Sequence, residues 1–172
     1  KHWSRGLGDV YKRQVIYNRI EYLASGLECR IIFLDHLSIL LSGLDGDERR
    51  MIDSTMTRLR SLVERTGITL FLVSHLRRSN SDSNSHEEGG RVSLGQLRGS
   101  HSISQISDSV IALERDQQSE DSNNTSTLRV LKNRYSGEVG VATRLTYDLA
   151  SCKFYEADET TTTPVFDATS DF

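Results

Sequence analysis

Cysteine is scarce in this 172-residue chain, and the two that occur, Cys29 and Cys152, lie far apart without neighbouring His or Cys at metal-ligand spacing. That excludes a disulfide framework and a zinc site, and points to a reducing compartment. A basic excess is also missing: the formal net charge is −3, whereas a dedicated nucleic-acid-binding domain usually carries clustered positive charge. Any contact with nucleic acid is therefore expected to be local. No apolar run approaches the roughly 20 residues of a membrane helix, and no signal-peptide pattern opens the chain. Nor does Gly-Lys-Ser or Gly-Lys-Thr occur anywhere, so the loop whose backbone amides and lysine cradle the β and γ phosphates of a nucleotide is not encoded here.

What is present is ordinary for one soluble domain with tails: 36% hydrophobic and 26% charged residues. Residues 1–14 (KHWSRGLGDVYKRQ) show no clear period and are set aside as a non-native or disordered lead. From 15 to 27, Ile16, Ile20, Leu23 and Leu27 recur at helical spacing. Residues 30–36 (RIIFLDH) hold an unbroken apolar run ending in Asp and His, the pattern of a strand buried on both faces of a parallel sheet. Asp47 is placed to cap a helix over 48–66, Gly67 to end it, and 68–74 (ITLFLVS) reads as a second buried strand. Strand, helix and strand in this order predict a βαβ unit with parallel strands, so the fold class is α/β. Residues 77–91 are polar and small, a mobile loop by composition. A strand over 107–113, a hairpin from 126–133 and 141–147 around Arg134-Tyr135-Ser136-Gly137, and a short last strand over 153–156 follow. From 157 to 172 the chain is acidic and Thr-rich, and is read as a disordered tail.

In open α/β sheets ligands bind beyond the carboxyl ends of the strands, which directs attention to Asp35 and His75. Four apolar residues followed by Asp35 match a Walker B strand, whose carboxylate holds a nucleotide's Mg²⁺ through water; the plainer reading is a turn cap. His75 either donates to a γ-phosphate or is simply the polar residue where the sheet meets water. Arg98, Gly99 and Ser100, beside a polar run reaching Gln105, could contact phosphates or form a structural loop. Arg134 sits in a tight turn from which a guanidinium can reach a neighbouring subunit, although a lone turn arginine can equally face solvent. Tyr147 could stack on a base or pack at a sheet edge.

The order IIFLDH, helix, LFLVSHL, HEEGG, LRGSHSISQISDSVIALERDQQ, LKNRYSGEVG and a terminal DF resembles the helicase half of the bifunctional primase-helicases of T-seven-like phages, within the DnaB-like hexameric helicases. DERRMID, LRGS…QISDSVIALER and NRYSG carry the resemblance, which covers Val15 to Phe172. It implies the carboxy-terminal part of a RecA-like parallel-sheet ATPase core with a β-hairpin, over 15–156, from a parent whose phosphate-binding loop and catalytic glutamate lie upstream. The parent would be an NTP-dependent, DNA-translocating enzyme using Mg²⁺ and ATP or dTTP. Its partners would be single-stranded DNA, five further copies of itself in a homo-hexameric ring, and the phage DNA polymerase, all in the cytoplasm of the infected bacterial host. Asp35 would be the Walker B aspartate, His75 the γ-phosphate sensor and Arg134 the arginine finger acting in trans. Arg98, Gly99 and Gln105 would couple nucleotide state to DNA, Tyr147 would pack on the base, and Asp171 and Phe172 would dock the polymerase. The chain departs from that pattern in two places. Ser and Asn replace the lysines of the channel loop, leaving Arg77, Arg78 and Arg91 as its cations, and Ser104 stands where a basic residue is usual. A RecA-like recombinase and a non-catalytic replisome adaptor are the alternatives.

Overall fold

The computed structural model describes residues 3–41, 47–77, 86, 88–97, 101–119 and 124–157, with side chains described from residue 14 onward. Helix α1 spans Trp3–Ser25. It begins earlier than the spacing of Ile16, Ile20 and Leu23 predicts, so the segment ahead of residue 15, set aside as standing outside the fold, is helical backbone from Trp3 on. Once Tyr17 and Ile20 are fixed in the core, adding residues to an existing helix costs far less than starting one. Strand β1 (Ile31–Leu34) follows, then a short 3-10 turn over Leu37–Leu40 that buries Leu37 and Leu40.

Helix α2 (Glu48–Thr66) has the bounds its caps dictate. The Asp47 carboxylate accepts from the Arg49 N–H at 3.0 Å, satisfying a donor that the first turn leaves without a helical partner. Gly67 closes the helix with φ +68°, the left-handed conformation glycine adopts without a Cβ penalty, and its N–H reaches the Val63 carbonyl. Ile52, Thr55, Met56, Leu59 and Leu62 are buried on one stripe of α2, against Tyr17 and Ile20 of α1 and Ile32 of β1 in a single core cluster. The Arg58 guanidinium lies over the Tyr17 ring at 4.2 Å, and Arg65 pairs with Glu21 at 2.9 Å. Both residues of that second pair are exposed, so it adds little to stability.

Strand β2 (Thr69–Leu72) pairs parallel with β1, with Ile31 opposite Thr69 and Leu34 opposite Leu72. The predicted βαβ unit is thus formed. One expectation about it is corrected: among the described residues the sheet is covered on one face only. Ile32, Leu34, Leu70 and Leu72 face the helical core, while Ile31, Phe33, Phe71 and Val73 are exposed, with the Phe33 and Phe71 rings stacked at 4.7 Å. A continuous apolar run is what a strand covered on both faces needs, and here α1 and α2 supply only one cover.

Helix α3 (His101–Ile106) was not anticipated. Its six residues are too few to stand alone, and burial of Ile103 in the core is what anchors it. The chain then enters a four-stranded antiparallel sheet in the order β3 (Ser109–Arg115), β4 (Thr125–Asn133), β5 (Gly140–Asp148) and β6 (Lys153–Glu156). The hairpin and last strand lie where the sequence puts them, within a residue. Asn133 shapes the β4–β5 turn: its side-chain oxygen accepts from the Tyr135 N–H at 3.1 Å, and Gly137 takes φ +78° as its N–H bonds the Asn133 carbonyl. Much of the predicted mobile loop lies outside the described residues. Its borders are joined by a Leu76–Leu97 bridge and an N–H bond from Arg77 to the Gln96 carbonyl at 2.8 Å.

Candidate functional site

Parallel pairing carries the carboxyl ends of β1 and β2 to the same edge. The Val73 N–H bonds the Leu34 carbonyl at 3.0 Å and the Leu37 N–H returns to the Val73 carbonyl at 2.9 Å, so Asp35 and His75 leave the sheet together, as the sequence reading requires. Both are exposed. Between them stands His36, whose ring centroid is 4.3 Å from that of His75 and whose Nδ1 is buried with no hydrogen-bond partner among the described residues. Sequence reasoning passed over His36, although IIFLDH places it beside the aspartate. No group of three His, Cys, Asp or Glu side chains among the described residues could hold a metal ion. A lone exposed carboxylate suits an ion that arrives on a nucleotide, since Mg²⁺ is commonly bound by one or two carboxylates together with phosphate oxygens and water.

A second cluster forms where α3 meets the hairpin. The Arg134 guanidinium donates through Nη1 to Asp108 Oδ1 at 2.9 Å and through Nη2 to the Gln105 carbonyl at 2.8 Å. Lys132, two residues back along β4, donates its ammonium to the carbonyls of Ser104, Gln105 and Ser107 at 2.6, 3.2 and 2.8 Å. These are carbonyls at the end of a helix, where a cation is favoured. Arg60 of α2 completes the cluster, bonded to Asp108 Oδ2 at 2.6 Å and to Glu64 at 2.7 Å. The Glu64 hydrogen bond, then Asp108, raises the Arg60 pKa above its ordinary value. Arg134 and Gln105, predicted separately, are therefore bonded neighbours. Arg60, Asp108 and Lys132 were missed. The period-two spacing of Lys132 and Arg134 was the available signal for the lysine, whereas nothing local to Arg60 or Asp108 reveals a contact 48 residues apart.

Tyr147 is near the other end of the hairpin: Thr146 pairs with Thr125 at the start of β4, whereas Arg134 follows its last residue. Its ring packs on Phe154 at 4.9 Å. The hydrogen bond with Cys152, burial and the Asp148 charge, in that order, raise the phenol pKa above its ordinary value. Asp148 itself is held low, first by the Ser151 hydroxyl and then by backbone N–H groups of Ser151 and Ala150. Of the expected cationic contacts, Arg77 and Arg91 are exposed at the loop borders. Arg78, Arg98, Gly99, Ser100, Asp171 and Phe172 lie outside the described residues.

Residues 11–156 match the family model of the DnaB-like helicase C-terminal domain. The chain belongs to this family. It is 42% identical over 131 residues to the DNA helicase/primase of Enterobacteria phage T3, an alignment that takes in 76% of this chain and 23% of the relative. Among solved structures, a DnaB-like replicative helicase, described with its interactions with primase, superimposes with a TM-score of 0.64 at 20% identity, over 80% of this chain and 34% of that one. The fold is accordingly the RecA-like α/β fold of the DnaB-like helicases. The chain spans about a quarter to a third of these relatives.

Proposed function

We propose that this chain is part of an ATP-dependent replicative DNA helicase, one that couples nucleoside triphosphate hydrolysis to translocation on single-stranded DNA and to duplex unwinding in phage replication. The parent works as a homo-hexameric ring in the cytoplasm of the infected host, with nucleotide sites between subunits and ATP or dTTP as fuel. The observation that carries the reading is the placement of Arg134 and Tyr147 at opposite ends of the β4–β5 hairpin. At about 3.3 Å per residue, the nine-residue strand β4 separates them by more than the length of an extended nucleoside triphosphate. One chain's Arg134 and Tyr147 therefore do not serve the same nucleotide, which favours Tyr147 packing on a base in its own subunit's site while Arg134 addresses the neighbour's γ-phosphate. The helicase family match favours this over a recombinase filament.

In that reading Asp35 would hold the Mg²⁺ of a bound nucleotide, and the ion would supply charge neutralisation at the phosphates. His75, beyond β2, donates to the γ-phosphate and His36 supports its ring. The bonds from Arg134 and Lys132 to α3 tie Gln105, and through it the segment holding Arg98, Gly99 and Ser100, to the residue that senses the neighbouring nucleotide. Arg77, Arg78 and Arg91 supply the loop's positive charge toward DNA phosphates.

Two expected results test the assignment. The isolated chain should show no NTP turnover above background, because phosphoryl transfer depends on positioning and charge stabilisation and the phosphate cradle is not in its sequence. The full-length parent should hydrolyse NTP and unwind a forked duplex under the same conditions. Turnover by the chain alone, or a parent that neither hydrolyses nor unwinds, contradicts the reading. The tail gives the second. Its acidic residues favour encounter with a basic surface of the polymerase and the Phe172 ring supplies the lasting contact. Deleting Phe172 should weaken polymerase binding by about 1–3 kcal/mol without affecting hydrolysis. Equal affinity with and without Phe172, measured at low and physiological salt, leaves the tail as a spacer.

A further inference from the structure

We propose that Asp108 is a positioning residue for Arg134: it holds the guanidinium through Nη1, and Arg60 holds Asp108, so that the donors of the fork not bonded to its own chain are kept in a fixed direction for a phosphate. This rests on the reading of Arg134 as the arginine that acts on a neighbouring subunit's nucleotide.

The geometry is specific. Ser109 pairs with Asn133 in the β3–β4 ladder, and just beyond it the Arg134 N–H bonds the Asp108 carbonyl at 2.8 Å. The backbones of the two residues are thus fixed together before their side chains meet. The carboxylate then divides its oxygens, Oδ1 to Arg134 at 2.9 Å and Oδ2 to Arg60 at 2.6 Å. An arginine carries more donors than the bonds to Asp108 and Gln105 use, and the Arg134 side chain is 45% exposed. Nη1 and Nη2 each give a hydrogen to their own chain, and the remaining N–H groups of this partly exposed side chain are the ones offered to a phosphate.

Charge explains why two arginines share one carboxylate. A carboxylate paired only with Arg134 would cancel the charge that a phosphate is meant to feel. Arg60, Lys132 and Arg134 stand here against Asp108 and Glu64, so the cluster keeps one net positive charge while Arg134 stays anchored. Holding a long side chain in place beforehand also removes rotamer entropy that would otherwise be lost at the moment of reaction.

The experiment uses the full-length parent and compares Asp108→Asn, Arg134→Ala and the double variant in DNA-stimulated NTP hydrolysis, with ring assembly and thermal unfolding measured alongside. Asp108→Asn should lower kcat by about 10–100-fold, the cost of a misaimed catalytic group, with KM for the nucleotide little changed. The double variant should hydrolyse no more slowly than Arg134→Ala alone, because a positioning residue has nothing left to position. Wild-type kcat in Asp108→Asn, or losses that multiply in the double variant, overturns the proposal while leaving Arg134 in its role. An Arg134→Ala variant that hydrolyses normally overturns that role and the proposal together. If Asp108→Asn does not assemble, Arg60→Gln, which frees one carboxylate oxygen and leaves the Arg134 bond possible, should give a smaller kcat loss that disappears in the Arg134→Ala background. A loss that persists there also overturns the proposal.

Discussion

Arg134→Ala in the full-length parent should cut DNA-stimulated NTP hydrolysis by about 10³-fold or more, the scale of an arginine finger, while nucleotide binding stays largely intact. Charge that develops in the transition state is what such a residue meets, so its loss falls on kcat rather than on ground-state affinity. The structural loss is small by comparison: the pair with Asp108 is partly exposed, and such pairs contribute at most about 1 kcal/mol. Arg134→Lys should recover little of the activity, since lysine keeps the charge but cannot bond a carboxylate on one side and a phosphate on the other with one planar fork. Mixing Arg134→Ala subunits with subunits defective in the phosphate-binding loop decides whether the arginine works in trans. Mixed rings then contain some interfaces with both parts intact, and hydrolysis should be partly restored. Rings shown to mix without any recovery would assign Arg134 to the internal scaffold of α3 and the hairpin alone.

The sequence was most legible where local chemistry and tertiary packing agree. Helix α2 is the clearest case: Asp47 and Gly67 are cap residues that packing has no reason to override, and the apolar stripe between them has an unambiguous period. The hairpin was read for the same reason, since the Asn133 side chain and Gly137 specify the turn themselves. Helix α3 was not legible, because its serines carry no helical signal and distant residues fix it, through the burial of Ile103 and the bonds from Lys132 and Arg134. The open face of the β1–β2 sheet was misjudged because residue hydrophobicity records that a surface needs cover, not which segment supplies it. At the candidate site, Asp35, His75, Gln105 and Arg134 were legible as candidates from motif and strand position. The bond from Arg134 to Gln105 and the brace from Arg60 to Asp108 were not, as they join segments separated by 29 and 48 residues.

Arg129→Ala should destabilise the β3–β4 sheet by about 3–5 kcal/mol, the cost of stranding a buried charge. Glu114 is 8% exposed, and its carboxylate is held by Arg129 through Nε at 2.9 and 3.1 Å and through Nη2 at 3.0 Å. The Val92 N–H adds a bond at 2.8 Å. Burial pushes the Glu114 pKa up, but the Arg129 and Val92 bonds with the charges of Arg129 and Arg91 outweigh it and hold the carboxyl below its ordinary value. A lowered folded-state pKa means that the ionised group contributes stability above its unfolded value, and that this is lost as pH falls through the folded value. Removing Arg129 takes away the strongest of the groups that lower it. The carboxyl pKa of the variant then lies above that of wild type, so the penalty is largest near neutral pH and shrinks on acidification as Glu114 takes up a proton. Urea unfolding of wild type and Arg129→Ala between neutral pH and about pH 4 should therefore show the two stabilities converging as pH falls. Adding Glu114→Gln to Arg129→Ala should recover part of the loss near neutral pH, because an amide is far less costly to bury than a charge. A stability gap that stays constant across this range, with no gain from Glu114→Gln, would locate the damage in lost packing of the Arg129 side chain instead of in the stranded carboxylate.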